Sequence, residues 1–378
     1  MGSWFRRVGA WIRGAWLFVG LVLLCVFVVN ELLATALPAL PRRLRVDPDV
    51  AEESTKHAEA YSGKDWSREY RREYRNSRVM TWQPYVYWRR APFEGRYVNI
   101  DERGLRSTWT AEGLSDDAAS VFVFGGSTVW GTGARDDFPL PSHLARLFGE
   151  AGVEVRVTNF GESGYVMRQG ILSLIGELQR GNVPDLVIFY DGVNDVMAAL
   201  QSGVAGLPQN EGNRRLEFKA SKEFERLLRV MLANLEGVAR LSQQLLARER
   251  DEESLRELAR EIAADYARNV AFVERLAEDY GFGAFFYWQP TIFSKRSVTD
   301  FERSQRDSQQ RQQRSLQLLA NEAIRSSREL GGSHGFRDLS STLDGLTEPV
   351  YLDFCHLSED GNGLIARTIA DDVIPVLH

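Results

Sequence analysis

The sequence is poor in the residues that cross-link a fold or bind metals. Its 378 residues include two cysteines, Cys25 and Cys355, and five histidines. Two cysteines exclude a framework of disulfides and a cysteine-based zinc cluster. No two histidines stand at the spacing of metal ligands, so the sequence predicts no structural or catalytic metal and no other cofactor.

The chain also lacks an excess of basic residues. It has 46 Lys and Arg against 52 Asp and Glu, a formal net charge of -6, and no basic stripe. This balance argues against nucleic acid as a partner. Hydrophobic residues make up 44% of the chain and charged residues 26%, which is typical of a folded, mostly soluble protein. The length allows two or three domains, or one large α/β domain with insertions.

One long apolar segment lies near the N-terminus. Residues 15–29 contain no polar side chain, and after Asn30 and Glu31 the apolar stretch continues to Leu37. A run from 15 to 37 is long enough to cross about 30 Å of hydrocarbon with some tilt. We therefore predict an N-terminal transmembrane helix, with residues 1–45 forming a membrane anchor.

A cleaved signal peptide is the alternative for the same segment. Arg6, Arg7 and Arg13 form a basic start, and residues 34–36 form an A-x-A pattern. The length of the apolar run favours the anchor. Three arginines on each side leave the orientation undecided by charge, but both interpretations export the rest of the chain. The predicted location is a single-pass membrane protein whose C-terminal domain faces the periplasm or the cell exterior.

Residues 46–117 form a second predicted region, a stalk followed by a strap. Residues 46–80 are polar and are predicted to form a helical stalk. Residues 82–97 are rich in aromatic side chains, which are Trp82, Tyr85, Tyr87, Trp88, Phe93 and Tyr97. A strap packed over the core is the favoured interpretation, because aromatic residues mostly serve burial. A surface that stacks against sugars is the alternative.

Residues 118–378 alternate between strand and helix patterns. Short apolar runs bounded by Gly, Pro or Asn predict buried strands, and the alternation of Val153, Val155 and Val157 with polar residues predicts another strand. The predicted strands cover 121–124, 153–157, 186–190, 283–288 and about 335–340, and the predicted helices cover 138–150, 166–180, about 300–330 and about 359 to the end. Alternation of this kind indicates an α/β fold with right-handed crossovers and a parallel sheet covered on both faces.

A long insertion separates the third and fourth strands of this pattern. Residues 197–280 are too many for one ordinary crossover or for a structureless loop. Their Leu, Ala, Glu and Arg content predicts helices, and the charged tract 248–261 is typical of a solvated helical face. We expect part of this helical insertion to form a cap beside the active site.

Three polar residues at element ends predict a catalytic site. In open parallel sheets, ligands bind beyond the carboxyl ends of the strands. Ser127 follows a strand and a Gly pair, but a serine hydroxyl is a poor nucleophile unless a base takes its proton. His356 is the plausible base. Asp353, three residues earlier, can hold the other imidazole nitrogen.

Three further groups are the predicted oxyanion-hole donors. They are the backbone N–H groups of Ser127 and Gly161 and the side-chain amide of Asn194. Gly161 lacks a Cβ, so its backbone can approach a substrate closely. Ser163 is a competing nucleophile, but Tyr165 stands where a G-x-S-x-G elbow needs glycine.

Each of these residues has an ordinary structural role as an alternative. Asn194, Asp195 and Asp353 could cap helices, His356 could be a structural histidine, and Cys355 is predicted to be a packed thiol. The combination is more specific than its parts, because four short motifs stand in fixed order at strand ends or before the last helix.

With these motifs the chain resembles the SGNH (GDSL-like) hydrolase superfamily. The four blocks of that family correspond to Ser127 in GGST, Gly161 in NFGESGY, Asn194 in GVND, and Asp353 with His356 in DFCH. The first block departs from the usual GDS, because a glycine precedes the serine. The resemblance covers about residues 118–378 without the insertion. It implies a three-layer α/β/α sandwich with a flavodoxin-like sheet, no metal, and ester hydrolysis or acyl transfer through an acyl-enzyme.

Three functional hypotheses follow. The first is a membrane-tethered serine esterase that removes acyl groups from a glycan or lipid of the cell envelope. The second is an O-acyltransferase that modifies an envelope polysaccharide, with a sugar hydroxyl in place of water. The third is a non-catalytic glycan-binding or assembly component that keeps the fold.

Overall fold

The computed structural model describes residues 20–29, 59–220 and 250–377. The chain divides into two compact units. The smaller comprises Met1–Asp47 and Gly212–Glu249, and its described residues are helical. The larger comprises Pro48–Glu211 and Arg250–His378 and carries all the predicted site residues.

The predicted membrane anchor lies mostly outside the described residues. Residues 20–29 form a helix with exposed apolar side chains, whereas 15–19 and 30–37 are outside the described ranges. Within those ranges no helix is both long enough and apolar enough to span a bilayer. The anchor therefore stays a prediction.

A five-stranded parallel sheet forms the centre of the larger unit. The strands of the described residues are β1 (Met80–Gln83), β2 (Tyr87–Arg90), β3 (Ala119–Gly125), β4 (Val155–Asn159), β5 (Leu186–Asp191), β6 (Gly283–Trp288) and β7 (Phe336–Asp338). The last five form the sheet, in the order β4-β3-β5-β6-β7, and all are parallel. This is the flavodoxin-like order, and the predicted parallel sheet is confirmed.

Side chains alternate across the sheet, as the period of a strand requires. In β3, Val121 and Val123 point into one hydrophobic core, whereas Phe122 and Phe124 point into the other. Every residue of β5 is buried. Strands buried on both faces read as continuous apolar runs, which is why the sequence located β3, β5 and β6 well.

Helices cover both faces of the sheet. The helices Met167–Gln179, Glu252–Tyr280 and Arg311–Ser326 pack on the face of Phe122 and Phe124. The helices Leu140–Glu150 and Glu359–Leu377 pack on the opposite face. The result is the α/β/α layering that the alternation of strands and helices predicted.

The predicted single helix over 300–330 is wrong. The structure has separate helices at Asp300–Ser308, Arg311–Ser326 and Arg328–Gly331, and the chain is extended at Gln309 and Gln310. The first helix is fixed by a capping box between Thr299 and Glu302. The second instead packs on the sheet, so the chain must change direction between them.

The largest described part of the insertion packs in the core, so the cap that was expected of part of the insertion stays a prediction for the rest of it. The helix Glu252–Tyr280 buries Leu258, Ile262 and Tyr266 in the core as the crossover from β5 to β6. Charged residues occupy its outer face, as the tract 248–261 predicted. Residues 221–249 lie outside the described ranges.

Residues 59–117 pack against the sheet domain and do not form a free stalk. The helix Ser67–Asn76 buries Tyr70, which shares a small core with Trp130 of the sheet domain. Strands β1 and β2 form an antiparallel hairpin, and Arg106 forms a bridge to Asn159 at the end of β4. The predicted stalk is wrong from residue 59 onward; residues 46–58 lie outside the described ranges.

Candidate active site

The site lies where the strand order reverses. Strands β3 and β5 are neighbours whose following connections lead to opposite sides of the sheet, and ligands of such sheets bind at this point. Ser127 begins the helix Ser127–Trp130 directly after β3, and Asn194 stands in the helix Val193–Ser202 directly after β5. Both side chains are half-buried, so they line a surface that a substrate can reach.

Ser127, His356 and Asp353 form a continuous hydrogen-bonded chain. Ser127 Oγ lies 2.7 Å from His356 Nε2, and His356 Nδ1 lies 2.6 Å from Asp353 Oδ2. Ser127 and His356 are 229 positions apart along the chain. The structure thus brings together the predicted nucleophile, base and carboxylate, with each contact at hydrogen-bond distance.

Asp353 is held as a carboxylate. Its Oδ1 accepts the backbone N–H groups of Cys355 and His356 at 2.9 and 2.8 Å. Burial alone would raise the pKa of this carboxyl, but interaction with His356 and these hydrogen bonds outweigh burial and lower its pKa below the ordinary value. An ionised Asp353 requires the proton of the neutral imidazole to sit on Nδ1, which leaves Nε2 free to accept the proton of Ser127.

Cys355 is a buried thiol beside the imidazole, as predicted for a packed cysteine. Its Sγ lies 3.8 Å from His356 Nδ1, and burial raises its pKa well above the ordinary value. The ligand atoms of Asp353, Cys355 and His356 lie within 4.8 Å of one another, a spacing that a metal ion could use. A metal there would need the thiolate that burial disfavours and would take the nitrogen that Asp353 already holds.

The three predicted oxyanion donors are not equally available. Ser127 N–H has no acceptor among the described residues. Asn194 Nδ2 donates to the carbonyl of Tyr165 at 2.8 Å, and an amide nitrogen carries a second hydrogen. Gly161 N–H, however, donates to Asn159 Oδ1 at 3.0 Å. Gly161 therefore stands beside the site, and its N–H would have to leave Asn159 to serve an oxyanion.

Gly126 explains the departure from the GDS motif. A Cβ at this position would lie 2.1 Å from Asn194 Nδ2 and 3.5 Å from the carbonyl of Tyr165. Asn194 Oδ1 is itself fixed by Gln209 at 3.2 Å. The space that a side chain at 126 would need is thus occupied by the amide of Asn194.

Gly161 allows a close approach between two parts of the backbone, and not the close approach of a substrate that the sequence predicted. A Cβ there would lie 2.4 Å from the backbone nitrogen of Trp130 and 2.8 Å from Val129 Cβ. The absent side chain thus lets the loop after β4 pack against the short helix that carries Ser127.

Sequence reasoning missed the residues that hold this helix. Asn159 stands in the motif NFGESGY without a predicted role of its own, yet its Nδ2 donates to the carbonyls of Val129 and Trp130 at 3.1 and 3.4 Å. Arg106 donates to the carbonyls of Trp130 and Gly131 at 3.1 and 2.6 Å. The asparagine at the end of β4 was a usable signal, because a buried amide there must find partners. Arg106 gave none.

Arg90 supports the other side of the same helix. Its guanidinium carbon lies 3.6 Å from the ring centre of Trp130, and its backbone N–H donates to Glu162 at 2.9 Å. Arg90 also donates to Ser163 Oγ at 2.9 Å. Ser163, the competing nucleophile, is therefore bound to a guanidinium that cannot act as a base.

Two buried carboxyl groups lie beneath Asn194. Asp191 and Asp195 are 3% and 6% exposed, and the Oδ2 atom of each has no hydrogen-bond partner among the described residues. Burial raises the pKa of Asp195 to about 7, and burial together with the charge of Asp195 raises the pKa of Asp191 well above its ordinary value. Asp195 Oδ1 accepts the N–H of Met167, so this residue fixes the helix after β4 and does not cap its own helix.

Two cavities, of about 500 and about 380 Å³, lie elsewhere in the larger unit. The first is lined by the helices Glu252–Tyr280 and Arg311–Ser326, and the second by residues that include Arg103 and Glu177. Neither is lined by a residue of the Ser127 site. The hydrogen-bonded chain of Ser127, His356 and Asp353 therefore marks the candidate site, because a cavity without reactive side chains indicates no reaction.

No protein-family model and no curated protein matches the sequence. Solved structures do show similarity. They include a lipase/acylhydrolase from Enterococcus faecalis (17% identity, 68% of this chain and 96% of that one, TM-score 0.35). A carbohydrate acetylesterase family member from Sinorhizobium meliloti has 18% identity, the same coverages and a TM-score of 0.35. A member of the lipolytic G-D-S-L family from Veillonella parvula has 14% identity, 68% and 98% coverage and a TM-score of 0.37. Likeness at this level decides neither activity nor substrate.

Proposed function

We propose that the protein is a membrane-tethered serine esterase that acts through an acyl-enzyme on an acylated glycan or lipid of the cell envelope. One observation carries the chemistry, which is the chain of contacts from Ser127 Oγ through His356 to Asp353 at 2.7 and 2.6 Å. A hydroxyl paired with an imidazole that a carboxylate orients is the arrangement that activates serine.

Acylation begins at Ser127 Oγ. As the oxygen attacks the ester carbonyl, His356 Nε2 takes its proton, and the carbonyl electrons move to the oxygen as an oxyanion. Ser127 N–H and the second N–H of Asn194 are the donors that stand ready for this charge. When the carbonyl re-forms, the C–O bond to the alcohol breaks and His356 returns the proton to the leaving oxygen. The acyl group remains on Ser127, and the alcohol is released.

Deacylation repeats the steps with water. His356 takes a proton from a water molecule, whose oxygen attacks the acyl carbonyl of the acyl-enzyme. Collapse of the second oxyanion releases the carboxylic acid, and Ser127 Oγ recovers its proton from His356. A sugar hydroxyl could attack the acyl-enzyme in the place of water by the same steps, and the protein would then be an O-acyltransferase. The identity of the second nucleophile therefore decides between the two activities.

The tether is the second part of the proposal, and it rests on the apolar run over residues 15–37. A single span would hold the catalytic unit on the exported side of the membrane and raise the effective concentration of envelope esters. Its test is membrane fractionation of the full chain. Retention in the membrane pellet after an alkaline carbonate wash is expected, with release on deletion of residues 1–45. A full chain that washes off would contradict the tether without touching the catalytic proposal.

The catalytic test uses the detergent-solubilised full chain with p-nitrophenyl acetate and a fluorophosphonate probe. Replacing Ser127 by Ala should lower kcat/KM by at least about 10³-fold and abolish labelling, because no other group becomes the nucleophile. Ser163→Ala is the matched control, since this nearby serine contacts Arg90, and it should keep labelling. Equal labelling of the wild type and Ser127→Ala would refute the esterase.

Product analysis separates hydrolysis from transfer. With a labelled acetyl ester and an oligosaccharide acceptor, a hydrolase releases labelled acetate, whereas a transferase labels the oligosaccharide. We expect acetate. A wild-type protein that is inert to both the ester and the probe would instead support a non-catalytic component.

A further inference from the structure

The β1–β2 hairpin displays large aromatic side chains to solvent. Trp82 is 68% exposed and Tyr85 is 84% exposed. Side chains of this size normally contribute to burial, and the sequence favoured that outcome for this stretch. The hairpin thus presents aromatic rings to solvent at its surface.

The backbone of the hairpin is strained where it presents tyrosines. Tyr85 and Tyr87 have φ values of 70° and 77°. This left-handed region is costly for a bulky residue and easy for glycine, and such strain persists mainly where a function needs it. The turn therefore keeps tyrosine rings at positions where glycine would relieve the backbone.

The exposed ring of Trp82 is connected through two half-buried rings to the candidate active site. We call Trp82, Tyr87 and Trp88 the aromatic track. The ring centres of Trp82 and Tyr87 are 5.7 Å apart, and those of Tyr87 and Trp88 are 6.5 Å apart. Trp88 lies 5.6 Å from Tyr165, whose carbonyl accepts the amide of Asn194. Successive contacts thus connect the outermost ring to an oxyanion donor.

The inner end of the track is fixed to the site loop. Trp88 Nε1 donates to the carbonyl of Ser163 at 2.9 Å, and the Tyr165 hydroxyl donates to the carbonyl of Trp88. A Cβ on Gly164 would lie 3.4 Å from the Trp88 ring and 3.3 Å from Gln209, the residue that holds Asn194. The track therefore keeps a defined position relative to the reacting groups.

We propose that the aromatic track is a glycan-binding subsite, which holds the sugar residues next to the one whose ester is cleaved. The inference rests on the proposed esterase function and specifies its substrate class as an acylated oligosaccharide or polysaccharide. Sugar rings present electropositive C–H groups that pack on the negative faces of aromatic rings. A row of rings that starts at the site suits an extended sugar chain. A loop that inserts into a membrane needs an apolar tip instead, and the exposed aliphatic residues Val79 and Met80 stand away from the turn.

The test compares esters of the same acyl group on alcohols of different length. The detergent-solubilised full chain is assayed with p-nitrophenyl acetate, with an O-acetylated monosaccharide, and with O-acetylated cellohexaose and chitohexaose. The wild type should cleave at least one hexasaccharide ester with a higher kcat/KM than the monosaccharide ester. Trp82→Ala should lower the kcat/KM for that hexasaccharide ester by about ten-fold, chiefly through KM, and should leave p-nitrophenyl acetate within about two-fold.

Two control variants accompany Trp82→Ala. Trp82→Phe keeps an aromatic face and should restore most of the hexasaccharide rate. Tyr280→Ala removes another exposed aromatic ring, which ends the helix before β6 and so lies at the opposite edge of the sheet, and it should change no rate.

Each contrary result has a distinct meaning. Equal rates of the wild type on monosaccharide and hexasaccharide esters, or an unchanged hexasaccharide rate in Trp82→Ala, would overturn the subsite and leave the esterase intact. If Trp82→Ala lost activity only toward a lipid ester in phosphatidylglycerol vesicles, the aromatic track would be assigned to a membrane surface. This result would also overturn the proposal. Failure of Ser127→Ala to abolish p-nitrophenyl acetate hydrolysis would instead refute the proposed function itself.

Discussion

Lys295 and Glu302 form an ion pair that is wholly buried, with Lys295 Nζ 2.8 and 2.7 Å from the two carboxylate oxygens. Glu302 Oε1 also accepts the backbone N–H groups of Val350 and Tyr351 at 3.1 and 3.2 Å. Because Tyr351 lies two residues before Asp353, the pair supports the segment that carries the carboxylate of the candidate triad. A charge pair outside the triad thereby helps to position the carboxylate of Asp353.

Replacing Glu302 by Gln should destabilise the protein strongly. The variant leaves the ammonium group of Lys295 buried without a counter-charge, which costs about 3–5 kcal/mol when a buried pair loses one partner. Urea denaturation of the full chain measures the change. Glu252→Gln is the matched control, since Glu252 pairs with Arg256 on an exposed helix face, and it should cost less than about 1 kcal/mol. Similar costs for the two variants would contradict the structural role.

Replacing Asp353 by Asn should lower kcat/KM by about 10⁴-fold with little change in KM. An amide at this position can donate a hydrogen bond to His356 Nδ1, which places the imidazole proton on Nε2. That nitrogen could then no longer accept the proton of Ser127. Hydrolysis of p-nitrophenyl acetate by the purified variant provides the measurement.

The neighbouring thiol supplies the control for that experiment. Cys355→Ala removes a side chain that is next to the imidazole and as buried as Asp353, and it should keep the activity within about ten-fold. A Cys355 variant as inactive as Asp353→Asn would mean that packing of the loop, and not the carboxylate, sustains the rate.

Asn194→Ala should lower kcat by about 10² to 10³-fold, the usual cost of removing one oxyanion donor. KM should change little, because the donor acts on charge that develops in the transition state. Asn182→Ala is the control, since the Asn182 amide contacts Glu177 away from the site. An effect of Asn194→Ala on KM alone would assign this residue to substrate binding.

The sequence predicted the central sheet because its inner strands β3 and β5 are largely buried on both faces. Val121 to Phe124 read as a continuous apolar run, and the polar groups that follow such runs gave Ser127 and Asn194. Asp353 and His356 followed from their mutual spacing and their place before the last helix. These features are local in sequence, so a single chain reveals them.

The environment of the site could not be predicted in the same way. Arg90 and Arg106 are charged residues, and charged side chains normally lie on a solvated surface. Both instead lie buried against Trp130, at 3.6 and 4.2 Å from its ring centre. Such contacts depend on the tertiary fold and leave no periodic signal. The hydrogen bond from Gly161 N–H to Asn159 could not be predicted either, because a glycine in a motif does not show in which direction its N–H points.

Asp195 should make the protein less stable as the pH rises from about 4 to about 7. Burial raises its pKa to about 7 in the folded state, whereas an unfolded aspartate titrates near pH 4. Between these values the folded state binds more protons than the unfolded state, so the free energy of unfolding falls with rising pH. Asp191, whose pKa is also raised by burial, acts in the same direction. Asp353 has a lowered pKa in the folded state, so its contribution makes the protein more stable as the pH rises. That contribution changes only below about pH 4.

Replacing Asp195 by Asn isolates this contribution, because an amide does not ionise. We expect the free energy of unfolding of the variant, minus that of the wild type, to rise between about pH 4 and about pH 7 and to level off above it. Guanidinium denaturation of both proteins across this range gives the difference directly, and contributions of histidines common to both cancel. A flat difference for Asp195→Asn would show that Asp195 ionises normally and that the buried acid pair does not hold a proton at neutral pH.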